Sequence, residues 1–161
     1  MNHVPTPPDL LDELDFLLTE GNAHVSLEDA CTGLTPALIN TTVPGLPHTI
    51  WQLAEHLRIA QWDIVEFCLN PAHVSPEFPA GYWPPAPTPP ADAAAWQATL
   101  RVLKADRTRF LEHLRHAPNL LAPLPHGTGQ NLLREALLIA DHNAYHVGQI
   151  VLVRQSLGAW A

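Results

Sequence analysis

The chain has 161 residues, of which 47% are hydrophobic and 15% charged. That length suits one domain, 1–161, whose folding would bury roughly 70% of the unfolded surface, and the composition is too apolar for a disordered chain. Sixteen acids against eight Lys and Arg give a formal charge of −8, which repels phosphate backbones and anionic lipid and argues against nucleic-acid and membrane partners.

The opening MNHVPTPPDLLDELDFLLTEG lacks a basic start and has acids between its apolar runs, so no signal peptide is expected. No window approaches the roughly eighteen apolar residues of a membrane span. Residues 9–20 form the first predicted helix, with Leu10, Leu11, Leu14, Leu17 and Leu18 at helical spacing and Gly21 as its stop. A short helix is expected in SLEDACTGL, where Ser26 and Asp29 stand at capping-box spacing, followed by a turn-rich approach through Pro36, Pro44 and Pro47. Cys31 and Cys68 show neither a CxxC spacing nor the density of a disulfide scaffold. Two free thiols in a reducing cytoplasm are the simplest expectation.

Residues 49–69 are the second long predicted helix, opened by Thr49 and Gln52 and striped by Ile50, Leu53, Ala54, Leu57, Ala60, Ile64 and Phe67. From Pro71 to Pro90 eight of twenty residues are proline, which excludes a continuous helix or a central strand. The third long helix is expected over 91–117, with Trp96, Leu100, Leu103, Phe110 and Leu114 on one face and Pro118 beyond it. The fourth is expected over 130–157, with Gly158 as stop. Four amphipathic helices and no alternating strands indicate an all-α fold, a four-helix bundle. The proline-rich crossover is longer than antiparallel neighbours need, so helices two and three are expected to run parallel, up-down-down-up. An up-down-up-down bundle with an excursion is the alternative.

The chemistry concentrates in histidine, of which there are ten. His142 and His146 lie four apart in DHNAYHVGQI, so they share one face of a helix that is apolar on most sides and can point at a single ion. The spacing alone also suits two core histidines satisfied by carbonyls or carboxylates. A zinc-protease reading fails, because Asn143 stands where that motif needs Glu. A third ligand has to come from elsewhere. His3, His24, His73 and His126 fall in loops or tails, where solvated roles are the default. His113 and His116 fall near the end of the third helix, where the dipole favours imidazolium. His48 and His56 remain, and His56, two turns inside the second helix, matches the depth of the pair better.

The segments HTIWQLAEHLRIAQWD and DHNAYHVGQIVLVRQSLG, with GYWP between them, resemble the DinB/YfiT-like superfamily of four-helix-bundle proteins. The resemblance implies a divalent metal bound by one His of the second helix and an HxxxH pair of the fourth, here His56, His142 and His146. It also implies the up-down-down-up order and frequent homodimers; the family name refers to DNA damage and implies no DNA binding. Zinc, nickel, copper and iron all suit three imidazoles, so the metal stays unnamed. Relatives that join small thiols to electrophiles imply a metal-dependent thiol S-transferase acting on a low-molecular-weight thiol. A metal-dependent hydrolase and a non-catalytic bundle stabilised by its metal are the alternatives. Asp63, Asp141, Tyr145 and Gln149 are candidates to border the site by helical position, with a packing or helix–helix hydrogen bond favoured for Gln149. Asp141 is expected to be an exposed acid, and Tyr82 and Trp83 to cap the core.

Overall fold

The computed structural model describes residues 8–85 and 87–160, with side chains from Leu10 onward; His3 lies outside them. Among the described residues the fold is all-helical. The α-helices are α1 (Pro8–Glu20), α2 (Leu27–Cys31), α3 (Pro36–Asn40), α4 (Ile50–Leu69), α5 (Ala93–His116) and α6 (Leu132–Ser156), with a 3-10 turn at Ala80–Tyr82. The long helices begin where side chains can satisfy their open N–H groups. The Thr49 hydroxyl accepts from Gln52 N while the Gln52 side chain accepts from Thr49 N, which makes the expected capping box, and Asp92 and Asn131 cap α5 and α6. Ser26 likewise accepts from Asp29 N at the start of α2.

Helix α3 corrects the expectation of a mere turn near Pro36. Thr35 accepts from Leu38 N, and Pro36 stands in the first turn, where its missing N–H leaves no bond unmade. The five-residue helix then places Ile39, fully buried, in the core.

Helix α4 packs along both α5 and α6, and α1 packs against the same two. Glu55 meets Thr99, Gln61 meets the Leu103 carbonyl and Glu66 meets Arg109, so contacting positions climb together along α4 and α5. Against α6 they move oppositely, with His56 beside His146 and Gln61 bonded to Asn143.

Two apolar clusters fill the interior. One holds Ile39, Ile50, Leu53, Leu57, Leu103, Val147 and Ile150; the other holds Leu14, Val65, Phe110, Leu114, Leu120 and Ile139. Between them on α6 lie His142, Asn143 and His146. On α4 the matching level is Gln61, only 2% exposed, which donates to the Leu103 carbonyl at 2.7 Å and accepts from Asn143 Nδ2 at 3.0 Å. The Gln61 amide is thus paired at both its atoms, while the buried Asn143 Oδ1 has no partner among the described residues.

Phe110 is fully buried at the centre of the second cluster. Phe110→Ala is expected to lower unfolding free energy by about 3–5 kcal/mol, through lost burial and the cavity left behind. Urea denaturation measures this, and a loss below about 1 kcal/mol would show that the cluster does not bear on stability as described.

Candidate metal centre

The structure brings together the three histidines singled out from the sequence. One potential ligand atom from each of His56, His142 and His146 lies within 4.8 Å of the other two, and among the described residues no fourth His, Cys, Asp or Glu joins them. Helix α4 supplies His56, seven residues into a helix whose start the Thr49 box fixes, and α6 supplies the pair one turn apart. His56 and His146 are buried and His142 half-buried.

Hydrogen bonds at the outer nitrogens decide what the inner ones present. His56 Nδ1 lies 2.7 Å from the Tyr82 carbonyl oxygen, and His146 Nδ1 lies 2.7 Å from Gln149 Oε1. Both partners are acceptors, so each Nδ1 carries the proton and each Nε2 keeps its lone pair. His56 Nε2 sits 3.1 Å from His142 Nε2. Two imidazoles bound to one ion at about 2.0–2.1 Å, with angles between octahedral and tetrahedral, hold their nitrogens roughly 2.8–3.4 Å apart. The donor set therefore suits a divalent transition metal in the chemistry of its atoms, and the His56–His142 pair does so in its spacing as well.

Burial keeps the rings neutral. His142 is pushed down to about 4 by burial first, then by the neighbouring His146 and His56. Burial also lowers His146, partly offset by its bond to Gln149, and lowers His56, partly offset by the Tyr82 carbonyl. Neutral imidazole is the ligating form, so at neutral pH no proton has to leave before an ion binds.

The crossover does more than cap the core. Trp83 lies flat on His56, ring centroids 3.9 Å apart and 4° from parallel, and His48 stacks on Trp83 at 4.0 Å. The indole thus covers one face of this candidate ligand ring. Tyr82 donates its hydroxyl to Asp63 Oδ2 at 2.6 Å, and His73 Nε2 lies 2.7 Å from Asp63 Oδ1. Burial, with the bond to Asp63 and its charge, pushes the Tyr82 phenol up to about 12.

Several expectations from the sequence are corrected. Asp63 is no free base, because it is buried with both oxygens engaged. Gln149 bonds within its own helix to His146 rather than across to another. His73 is not solvated: its side chain is 7% exposed and paired with Asp63. His126 is half-buried, with Nε2 at 2.7 Å from the Phe67 carbonyl. His113 is lowered by burial and by His116, opposite to the direction in which the helix dipole acts. Asp141 is exposed as expected, and Tyr145, 66% exposed, sets its ring edge-on to His146 at 4.9 Å. His48, weighed as a ligand, is instead the outer ring of the stack.

The lowered His142 value makes metal-free stability depend on pH. Between the ordinary value of 6.5 and about 4 the unfolded chain binds more protons at this ring than the folded one. Its contribution is therefore full above about 6.5 and is lost as pH falls towards 4. In chelator-treated protein, the stability difference between wild type and His142→Asn, from urea midpoints, is expected to shift against wild type across that window. A difference constant from pH 7 to 4 would contradict it.

A family profile described as the DinB superfamily matches residues 22–150, which include all three histidines and the crossover. No curated protein and no solved structure matched the chain significantly.

Proposed function

The chain belongs to the DinB superfamily, and from that premise and the meeting of His56, His142 and His146 we propose a metal-dependent thiol S-transferase. In this reading the three imidazoles hold a divalent transition metal, zinc, nickel or iron, and the protein joins a small thiol to an electrophile. The observation that carries it is the arrangement of nitrogens: Nδ1 of His56 and of His146 each face an oxygen acceptor, and two Nε2 atoms stand 3.1 Å apart. A divalent ion there would supply the positive charge that favours thiolate over thiol at neutral pH.

The residues of the chain supply the rest. Trp83 shields one face of His56 from water, and Gln149 and the Tyr82 carbonyl hold their rings in the ligating tautomer. The protein's own thiols are poor nucleophiles, since burial pushes Cys31 and Cys68 up to about 12. A reacting thiol must therefore come from outside. Three protein ligands without a fourth among the described residues follow the pattern of catalytic rather than structural sites, which weighs against a purely stabilising metal. The engagement of Asp63 removes one candidate base from the hydrolase alternative.

The same reading includes a single domain, an up-down-down-up bundle of α1, α4, α5 and α6, and a cytoplasmic location. The contacts that climb together along α4 and α5 support the bundle order. Two free buried cysteines support the reducing compartment. No helix among the described residues is long and apolar enough to cross a membrane. A homodimer is supported by Leu138, Tyr145 and Leu152, 36%, 66% and 47% exposed at seven-residue intervals on α6. Sedimentation velocity is expected to show a dimer that Tyr145→Glu dissociates; a monomeric wild type would overturn this part.

Purified protein is expected to carry about one divalent ion per chain, and His56→Ala, His142→Ala and His146→Ala each to lose most of it. Metal analysis reads this directly, and full retention in all three would refute the site. Metal-loaded wild type, offered small thiols and a chromogenic electrophile, is expected to exceed the triple-Ala variant in rate. Equal rates together with intact metal binding would favour the structural alternative.

A further inference from the structure

Asp63 is a buried carboxylate for which the proposed chemistry has no use. It is 7% exposed, yet it takes Tyr82 Oη at 2.6 Å through one oxygen and His73 Nε2 at 2.7 Å through the other. Both partners belong to the crossover, ten and nineteen residues along the chain, so one carboxylate on α4 ties down two points of an otherwise irregular segment. His73 is further enclosed by the edge-on ring of Trp62, the residue before Asp63 on the same helix. A charged group out of water persists only with strong hydrogen bonds, and here those bonds fix where the crossover lies.

The segment so fixed delivers the acceptor for the ligand ring. The Tyr82 main-chain carbonyl receives His56 Nδ1 at 2.7 Å, two turns before Asp63 on α4, and the next residue supplies the indole stacked on that imidazole. Side chain and carbonyl of Tyr82 thus clamp to the same helix, one to Asp63 and the other to His56. Moving the hydroxyl anchor would move the carbonyl.

We propose that Asp63 is a positioning residue for the metal centre, acting through Tyr82 to hold the carbonyl that keeps the proton on His56 Nδ1 and the lone pair on Nε2. Its role does not require Asp63 to touch metal or substrate. The inference rests on the metal reading above. His73 is the second anchor of the same clamp. The residues involved are not adjacent in sequence, and only the fold gathers them.

The test compares wild type, Asp63→Asn, Tyr82→Phe and Leu114→Ala, the last a core variant in the other apolar cluster that controls for lost stability. Co2+ serves as the probe, with affinity measured by chelator competition and coordination by its visible absorption. In metal-free protein, long-range 1H–15N spectra report the His56 tautomer. Tyr82→Phe and Asp63→Asn are expected to bind Co2+ about tenfold or more weakly, with an altered spectrum and a mixed His56 tautomer. Leu114→Ala should keep the wild-type affinity, spectrum and tautomer. Tyr82→Phe, which removes one hydroxyl and keeps the carbonyl, carries the test if Asp63→Asn does not fold. Unchanged affinity, spectrum and tautomer in Tyr82→Phe would overturn the role of Asp63 while leaving the metal reading intact. A wild type that binds no Co2+ would instead overturn the metal reading, and the assignment to a metal centre with it.

Discussion

A neutral imidazole has one N–H and one lone pair, and the rest of the site depends on which nitrogen holds which. At His56 the choice is made by the Tyr82 carbonyl, which can only accept, and at His146 the Gln149 amide presents its oxygen to Nδ1. With the proton held outward, the inner nitrogens face one another across a gap of the size one ion fills. Without those acceptors the same rings could turn their protons inward and hydrogen-bond to each other as a core pair. The acceptors leave lone pairs inward at His56 and His146, the form that either an ion or a proton on His142 Nε2 can meet.

Placing such a set inside the bundle has energetic consequences that the surrounding structure offsets. The site lies at the level where α4 and α6 carry polar side chains between two apolar clusters. Gln61 donates to the Leu103 carbonyl and accepts from Asn143 Nδ2, so this amide pair links α4, α5 and α6 beside the rings. Burial drives the rings towards the neutral form, which suits ligation near neutral pH and makes the metal-free protein sensitive to acid. One physical cause, desolvation, therefore favours the neutral rings that a metal would require and lowers the acid stability of the metal-free protein.

The parts of this structure legible in the sequence are the local ones. Leucine spacing, the Thr49 and Gln52 pair and the proline boundaries predicted the long helices closely, because caps and periodicity act within a few residues. The His142 and His146 pair was legible for the same reason. His56 needed both its depth in α4 and the family resemblance. The acceptors were not legible in the same way: a main-chain carbonyl leaves no mark in a sequence, and that of Tyr82 is twenty-six positions from His56. His73 and His126 read as loop residues because nothing local says that Asp63 or the Phe67 carbonyl will close over them. Gln149 was at the right spacing, but its bond to His146 emerged only from the side-chain geometry. The GYWP segment carried a signal, though its chemistry lay in a carbonyl and an aromatic face rather than in a reactive group.

The most direct measurement is X-ray absorption on the metal-loaded protein, which counts the ligands around the ion and identifies their atoms. Three imidazole nitrogens at about 2.0–2.1 Å, with no sulfur, are expected. Sulfur at about 2.3 Å, or an ion bound by fewer than two imidazoles, would contradict a centre built from His56, His142 and His146.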